Sequence, residues 1–134
     1  MALPGVLVAD ADSGCLAAVA AVLGDLGCIN PVVHVSTVGE GIEWAESSAG
    51  ARLAVAIVDL ELPGGEGLAL VEWLRSHESC PGAAIVAVTG SADVDQLDRA
   101  FRLGVRRFLA KPFRLEAVAD VVAELGRPWA WTAV

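Results

Sequence analysis

Four short apolar runs in this chain each end on a side chain able to do chemistry, and that regularity limits the fold more than any other feature. Val6-Leu7-Val8-Ala9 ends at Asp10, Leu53 to Val58 at Asp59, Ala84 to Val88 at Thr89, and Phe108-Leu109-Ala110 at Lys111. Continuous runs of Val, Ile and Ala, without alternation, mark strands covered on both faces, the habit of a parallel sheet. In open α/β sheets, ligands bind beyond the carboxyl ends of the strands. Two carboxylates, a hydroxyl and an amine are therefore expected to meet at one sheet end.

The intervening segments read as helices. Leu16, Val19, Ala20, Leu23 and Leu26 form a stripe at helical spacing that stops at Gly27. Leu68, Leu70, Val71 and Leu74 follow the second carboxylate, and Asp93 with Gln96 resembles a capping box ahead of Val94, Leu97 and Phe101. Early Asp93, Asp95 and Asp98 and late Arg99 and Arg102 suit that helix's macrodipole. A last stripe runs through Leu115, Val118, Val122 and Leu125, closed by Gly126 and Pro128. A strand at Val32 to Val35 and a weaker helix from about Val38 to Ser48 complete a (βα)5 sandwich. The first helix carries no charge before Asp25. Its expected outer face, Cys15, Ala17, Ala18, Ala21 and Val22, is apolar and suits docking of a partner helix, with self-association as the competing use.

Composition narrows the function classes. A chain of 134 residues fits one domain with a core that needs no disulfide or metal staple. A formal charge of −8 without a basic stripe argues against direct nucleic-acid binding. No apolar stretch reaches the ~18 residues of a membrane span, and Met1-Ala2-Leu3-Pro4 lacks a secretory basic region. Cys15, Cys28 and Cys80 have no metal-ligand spacing and suit reduced thiols, so a cytoplasmic location is expected. His34 and His77 read as surface or edge residues, and Trp44, Trp73, Trp129 and Trp131 as packing or contact residues.

Lys111 is the only lysine, the other eight basic residues being arginine. A compact ammonium suits a single phosphoryl oxygen, whereas a guanidinium suits two-pronged recognition. Taken together, the strand-end residues resemble the receiver domain of bacterial two-component response regulators, chemotaxis-regulator-like, over roughly Val6 to Gly126. The resemblance rests on Val-Leu-Val-Ala-Asp at the start and on Ile57-Val58-Asp59-Leu60-Glu61-Leu62-Pro63-Gly64-Gly65-Glu66-Gly67-Leu68. It continues with Val86-Ala87-Val88-Thr89-Gly90 and Phe108-Leu109-Ala110-Lys111-Pro112-Phe113. It implies a flavodoxin-like three-layer α/β fold with strand order 2-1-3-4-5. The domain is expected to span residues 1–126, with 127–134 a short tail. No output domain follows Gly126, so the sequence suits either a stand-alone receiver or a part of a longer regulator.

The resemblance further implies that Asp59 accepts a phosphoryl group from a histidine kinase or histidine phosphotransfer protein, and so switches a downstream partner. It implies a protein that promotes its own phosphorylation and dephosphorylation without being an enzyme in the ordinary sense. Mg²⁺ would be held by Asp10, Asp59 and the backbone carbonyl of Glu61. Lys111 and Thr89 would each meet a phosphoryl oxygen. Phe108 would move inward as Thr89 closes, and Glu61 and Ser91 would tune dephosphorylation. One departure bears on the metal, because Ala11 stands where the family carries a second acid. Asp12 could reach in or a water could fill the gap, while Asp12 or Ser13 equally suits the N-cap of the first helix. Two other readings remain: a phosphate-independent receiver that only binds partners, and a haloacid-dehalogenase-like phosphatase using Asp10 of Asp10-Ala11-Asp12.

Overall fold

A computed structural model describes residues 5–47, 53–63, 67–77, 82–90, 93–105, 107–112 and 114–125. Gly64, Gly65, Glu66, Cys80, Ser91, Phe113, Gly126, Pro128, Trp129, Trp131 and the 127–134 tail lie outside the described residues. Strands and helices alternate as β1 (Gly5–Ala9), α1 (Ser13–Asp25), β2 (Val32–Val35), α2 (Val38–Glu46), β3 (Leu53–Asp59), α3 (Gly67–Ser76), β4 (Ala84–Thr89), α4 (Val94–Arg102), β5 (Arg107–Ala110) and α5 (Leu115–Leu125). The five strands form one parallel sheet in the order β2-β1-β3-β4-β5, as the strand reading implied. Successive side chains of a strand point to opposite faces, so each apolar run feeds two cores. Leu7, Ala56, Val58, Ile85 and Ala87 pack with α2 and α3, while Val6, Val8, Ile57, Val86 and Val88 pack with α1 and α5.

Local signals set the helix starts. Asp12 caps α1 by accepting from the Gly14 N–H, and Asp93 caps α4 by accepting from the Asp95 and Gln96 N–H groups. Thr37 and Glu40 make a variant of the capping box on α2: Thr37 Oγ1 accepts from the Glu40 N–H at 3.1 Å, and the Glu40 carboxylate reaches past the cap to accept from the Ser36 N–H at 3.1 Å. At the start of α3, a Cβ on Gly67 would lie 2.1 Å from the Asp59 carbonyl oxygen, so only glycine lets α3 begin that close to the end of β3.

Three helices sit differently about their axes than their apolar residues imply. On α1, Cys15 and Val22 join Val19 and Leu23 in the core, whereas Ala20 and Leu26 face solvent. The outer face is therefore Ala17, Ala20, Ala21 and Gly24, not one that includes Cys15 and Val22. On α4, Ala100 is fully buried while Val94 and Phe101 are 75% and 69% exposed. The guanidinium of Arg75 donates to the carbonyls of Leu103 and Gly104 at the end of α4 and to that of Ala83, which ties α4 to the body of the protein by its small-residue side. On α5, Val118, Val121 and Val122 are buried and Leu115 is half exposed. A smooth or doubly apolar helix offers more than one face of similar hydrophobicity, and tertiary packing chooses between them. The α3 stripe Leu68, Leu70, Val71 and Leu74 is buried as expected.

Candidate functional site

The ends of β1, β3, β4 and β5 bring Asp10, Asp59, Thr89 and Lys111 together. Parallel pairing puts these ends on one side: Ala9 lies opposite Val58, Asp59 opposite Val88, and Thr89 opposite Ala110. The Leu60 N–H donates to the Val88 carbonyl at 2.8 Å, and the Lys111 N–H to the Thr89 carbonyl at 2.8 Å, so the ladder continues one residue into the loops. The Lys111–Pro112 peptide is cis.

Lys111 sits between the carboxylates. Its Nζ donates to Asp59 Oδ2 at 2.7 Å and lies 3.3 Å from Asp10 Oδ2. Asp10 is 1% exposed, Asp59 5% and Thr89 5%, while the lysine side chain is 31% exposed. Burial pushes the Asp59 carboxyl upward, but hydrogen bonds from Lys111 and from the Glu61 N–H at 2.9 Å outweigh it and hold the group below its ordinary value. Burial likewise pushes Lys111 down, and its contacts with Asp59 and Asp10 reverse this and leave it above its ordinary value. Asp59 is thus an ionised carboxylate at neutral pH, fixed by Lys111 and the Glu61 N–H.

Asp10 has a different environment. Its Oδ1 accepts from the Asp12 N–H at 2.8 Å, whereas Oδ2 is buried and makes no hydrogen bond among the described residues, within ion-pair reach of Lys111. Asp10, Asp12, Gly14, Cys15, Ala18, Lys111 and Pro112 line a cavity of about 370 Å³ beside it. Burial, then the neighbouring Asp10 charge, pushes the Cys15 thiol up to about 12, so it remains protonated.

Asp12 does not join the carboxylates. It is exposed, and its carboxylate accepts from the Gly14 N–H at 2.9 Å, so of the roles the sequence left open it takes the N-cap, while it also lines the cavity beside Asp10. Among the described residues, no group of three or more His, Cys, Asp and Glu side chains is arranged to hold a metal ion. Two carboxylates still fit Mg²⁺, which keeps several waters and commonly takes one or two carboxylates beside phosphate oxygens. The unbonded, buried Oδ2 of Asp10 is an acceptor with capacity left for such a cation.

Glu61 brings its side chain to the site as well as its backbone. Its carboxylate Oε1 accepts the hydroxyl hydrogen bond of Thr89 at 2.9 Å. His34 is a second residue whose role the sequence did not disclose: its Nε2 lies 2.7 Å from the Asp10 carbonyl oxygen. The available signal was weak, a single polar residue in the strand Val32-Val33-His34-Val35. Phe108 is 37% exposed on β5, and with Val94, Leu97 and Phe101 it lines a groove of about 730 Å³ that opens next to Thr89 and Lys111.

This is a doubly wound α/β protein with a carboxylate and ammonium site at its strand ends. Residues 6–123 match the response regulator receiver domain family, and the chain belongs to that family. It is 31% identical over 95 residues to the transcriptional regulatory protein GltR of Pseudomonas aeruginosa, covering 70% of this chain and 39% of that protein. It is 32% identical over 109 residues to the photosynthetic apparatus regulatory protein RegA of Rhodovulum sulfidophilum, covering 81% of this chain and 56% of RegA. The chain spans only 39%, 37% and 18% of GltR, of VanR from Enterococcus faecium and of NtrC from Escherichia coli. Among solved structures, a CheY-like receiver domain from Methanospirillum hungatei superposes with a TM-score of 0.76 at 26% identity, covering 92% of this chain and 93% of that one. The chemotaxis regulator CheY4 of Vibrio cholerae superposes with a TM-score of 0.78 at 21% identity, over 92% and 98%, a likeness of fold. The chain is a receiver domain of a two-component response regulator.

Proposed function

We propose that this receiver takes a phosphoryl group from a phosphohistidine protein onto Asp59 and thereby switches the binding of a downstream protein. The observation that carries this is the placement of Asp59: buried, ionised, and held at 2.7 Å by an ammonium that can follow negative charge onto a phosphoryl oxygen. A carboxylate oxygen of Asp59 forms the P–O bond as the P–N bond of the donor breaks, and the imidazole leaves with that electron pair. Lys111 compensates charge on the transferred group, since such reactions depend mostly on positioning and electrostatics. Asp10, Asp59 and the Glu61 carbonyl are the groups that would hold Mg²⁺, which when bound would neutralise phosphoryl oxygens. Thr89 leaves Glu61 to donate to the phosphoryl group, and the outward Phe108 has a groove beside Thr89 into which it can turn.

The receiver domain extends over residues 1–126 in this reading. Its partners are a histidine kinase or histidine phosphotransfer protein at the smooth α1 face and an effector elsewhere. A phosphate-independent receiver is favoured by one observation: Lys111 already lies within ion-pair distance of both carboxylates, Ala11 brings no acid, and the Asp12 carboxylate caps α1. Intact mass after incubation with acetyl phosphate and Mg²⁺ separates the readings. The expected result is one phosphoryl group on the wild type and none on Asp59→Asn. No gain on either protein would support the phosphate-independent reading. A gain that persists in Asp59→Asn and maps to Asp10 would support the haloacid-dehalogenase-like one.

A further inference from the structure

We infer that His34 is a positioning residue that fixes the Asp10 carboxylate for the divalent cation, an inference that rests on the receiver reading of the site. A carbonyl oxygen can only accept, so the 2.7 Å contact between His34 Nε2 and the Asp10 carbonyl requires the proton on Nε2. His34 lies opposite Val8 in the β1–β2 register. By the alternation of a strand it shares the sheet face of Val32, which packs with Val6 and Val8 beneath α1. The other three residues of β2 are valines. A half-buried imidazole at this one place therefore reaches from the edge strand under the β1–α1 loop, to the residue whose side chain enters the site.

Asp10 is held on three sides. Its N–H donates to the Val35 carbonyl at 3.0 Å, its Oδ1 accepts from the Asp12 N–H, and its carbonyl accepts from His34. The first two contacts leave the Asp10–Ala11 peptide able to tilt, because one precedes the Cα and the other depends on the loop beyond. The His34 contact limits that tilt, and so steadies the backbone from which the Asp10 side chain projects toward Lys111, 3.3 Å from Oδ2. The device matters more in this chain than in one with two adjacent acids. With Ala11 in the second position and Asp12 exposed at the helix cap, Asp10 is the buried carboxylate of this loop. Partners that orient a metal ligand from behind typically change metal affinity by about 10- to 100-fold when removed.

The test compares His34→Val, which suits the valine-rich strand and removes the donor, with His34→Gln, whose amide N–H can reach the same carbonyl. Mg²⁺ affinity is measured by calorimetry without any phosphoryl donor, and the Asp10 carbonyl and carboxyl ¹³C resonances are recorded in metal-free protein. His34→Val is expected to weaken Mg²⁺ binding roughly tenfold and to move both resonances, and His34→Gln to recover most of each. Wild-type Mg²⁺ affinity in His34→Val would overturn the inference, as would failure of His34→Gln to recover it. The ring ¹⁵N spectrum of the wild type is a check that needs no variant to fold: a proton on Nε2 supports the contact, and a neutral ring protonated on Nδ1 overturns it. If the wild type binds no Mg²⁺ while the Asp10 resonances still depend on His34, the receiver reading loses its cation and the orienting contact stands. If the resonances are indifferent to His34, this inference alone fails.

Discussion

The hydroxyl of Thr89 donates to the carboxylate of Glu61 at 2.9 Å, across the gap between the ends of β3 and β4. Any phosphoryl group on Asp59 has to compete with that carboxylate for the hydroxyl. Glu61→Ala is expected to speed labelling by acetyl phosphate about two- to thirteenfold, the span of one net hydrogen bond of ~0.5–1.5 kcal/mol. Glu61→Gln keeps an acceptor and loses the charge, so it should fall between Glu61→Ala and wild type. Rates from intact mass at fixed Mg²⁺ decide this. Equal or slower labelling in Glu61→Ala would show that the contact does not restrain Thr89.

Ala11→Asp should tighten Mg²⁺ binding about tenfold, or ~1.4 kcal/mol, because it offers a hard cation another oxygen beside Asp10. Calorimetry is the measurement of choice, since Trp44 and Trp73 pack on the α2–α3 side of the sheet, away from the face that α1 covers. Unchanged affinity would mean that waters already complete the shell.

The Asp59–Lys111 pair gives stability a defined dependence on pH. Asp59 has a folded-state pKa below its ordinary 3.8, so the unfolded chain binds more protons in that range. Its stabilisation is complete above 3.8 and is lost as pH falls through the lower folded value. Lys111 is raised above 10.5, so its contribution is complete below 10.5 and is lost as pH rises through the higher folded value. Urea unfolding should therefore show a steeper acid loss for wild type than for Asp59→Asn. Parallel curves would mean that the pair adds nothing to this dependence.

Cys15 should resist alkylation in the folded protein at pH 8, because burial and Asp10 hold its thiol near 12 and the thiolate is the reactive form. Cys28 is only half-buried and should modify before Cys15. Peptide mapping after a short iodoacetamide pulse reads the order directly. Cys15 reacting as fast as Cys28 would contradict the enclosed environment between β1 and α1.

The strand ends were legible because a parallel sheet demands something simple of sequence. A strand covered on both faces has to be apolar throughout, so the first polar residue after each run marks where the chain emerges. Asp10, Asp59, Thr89 and Lys111 stood out in this way, and the register of the sheet brings them together. Helix rotation was not legible. Cys15 and Val22 on α1 are as apolar as Ala20 and Leu26, so composition could not say which pair faces the sheet. The outward turn of Val94 and Phe101 likewise needs the grip of Arg75 on the end of α4, a contact between residues 28 and 29 positions apart. Thr37 and Glu40, by contrast, carried a readable capping box that the weak apolar pattern of α2 obscured.

The sequence by itself determined the alternation of strands and helices, the side of the sheet where the chemistry lies, and the four residues that meet there. These follow from local hydrophobic runs and their terminators, which act over a few residues. Only the tertiary structure decided which way each of those side chains is held. Asp12 turned to its own helix, Glu61 took the Thr89 hydroxyl, and His34 reached from the edge strand to the Asp10 carbonyl. The physical reason is that a hydrogen bond needs its partners within about 3 Å and aligned, and for residues 24 or 28 positions apart only the packed sheet supplies that geometry.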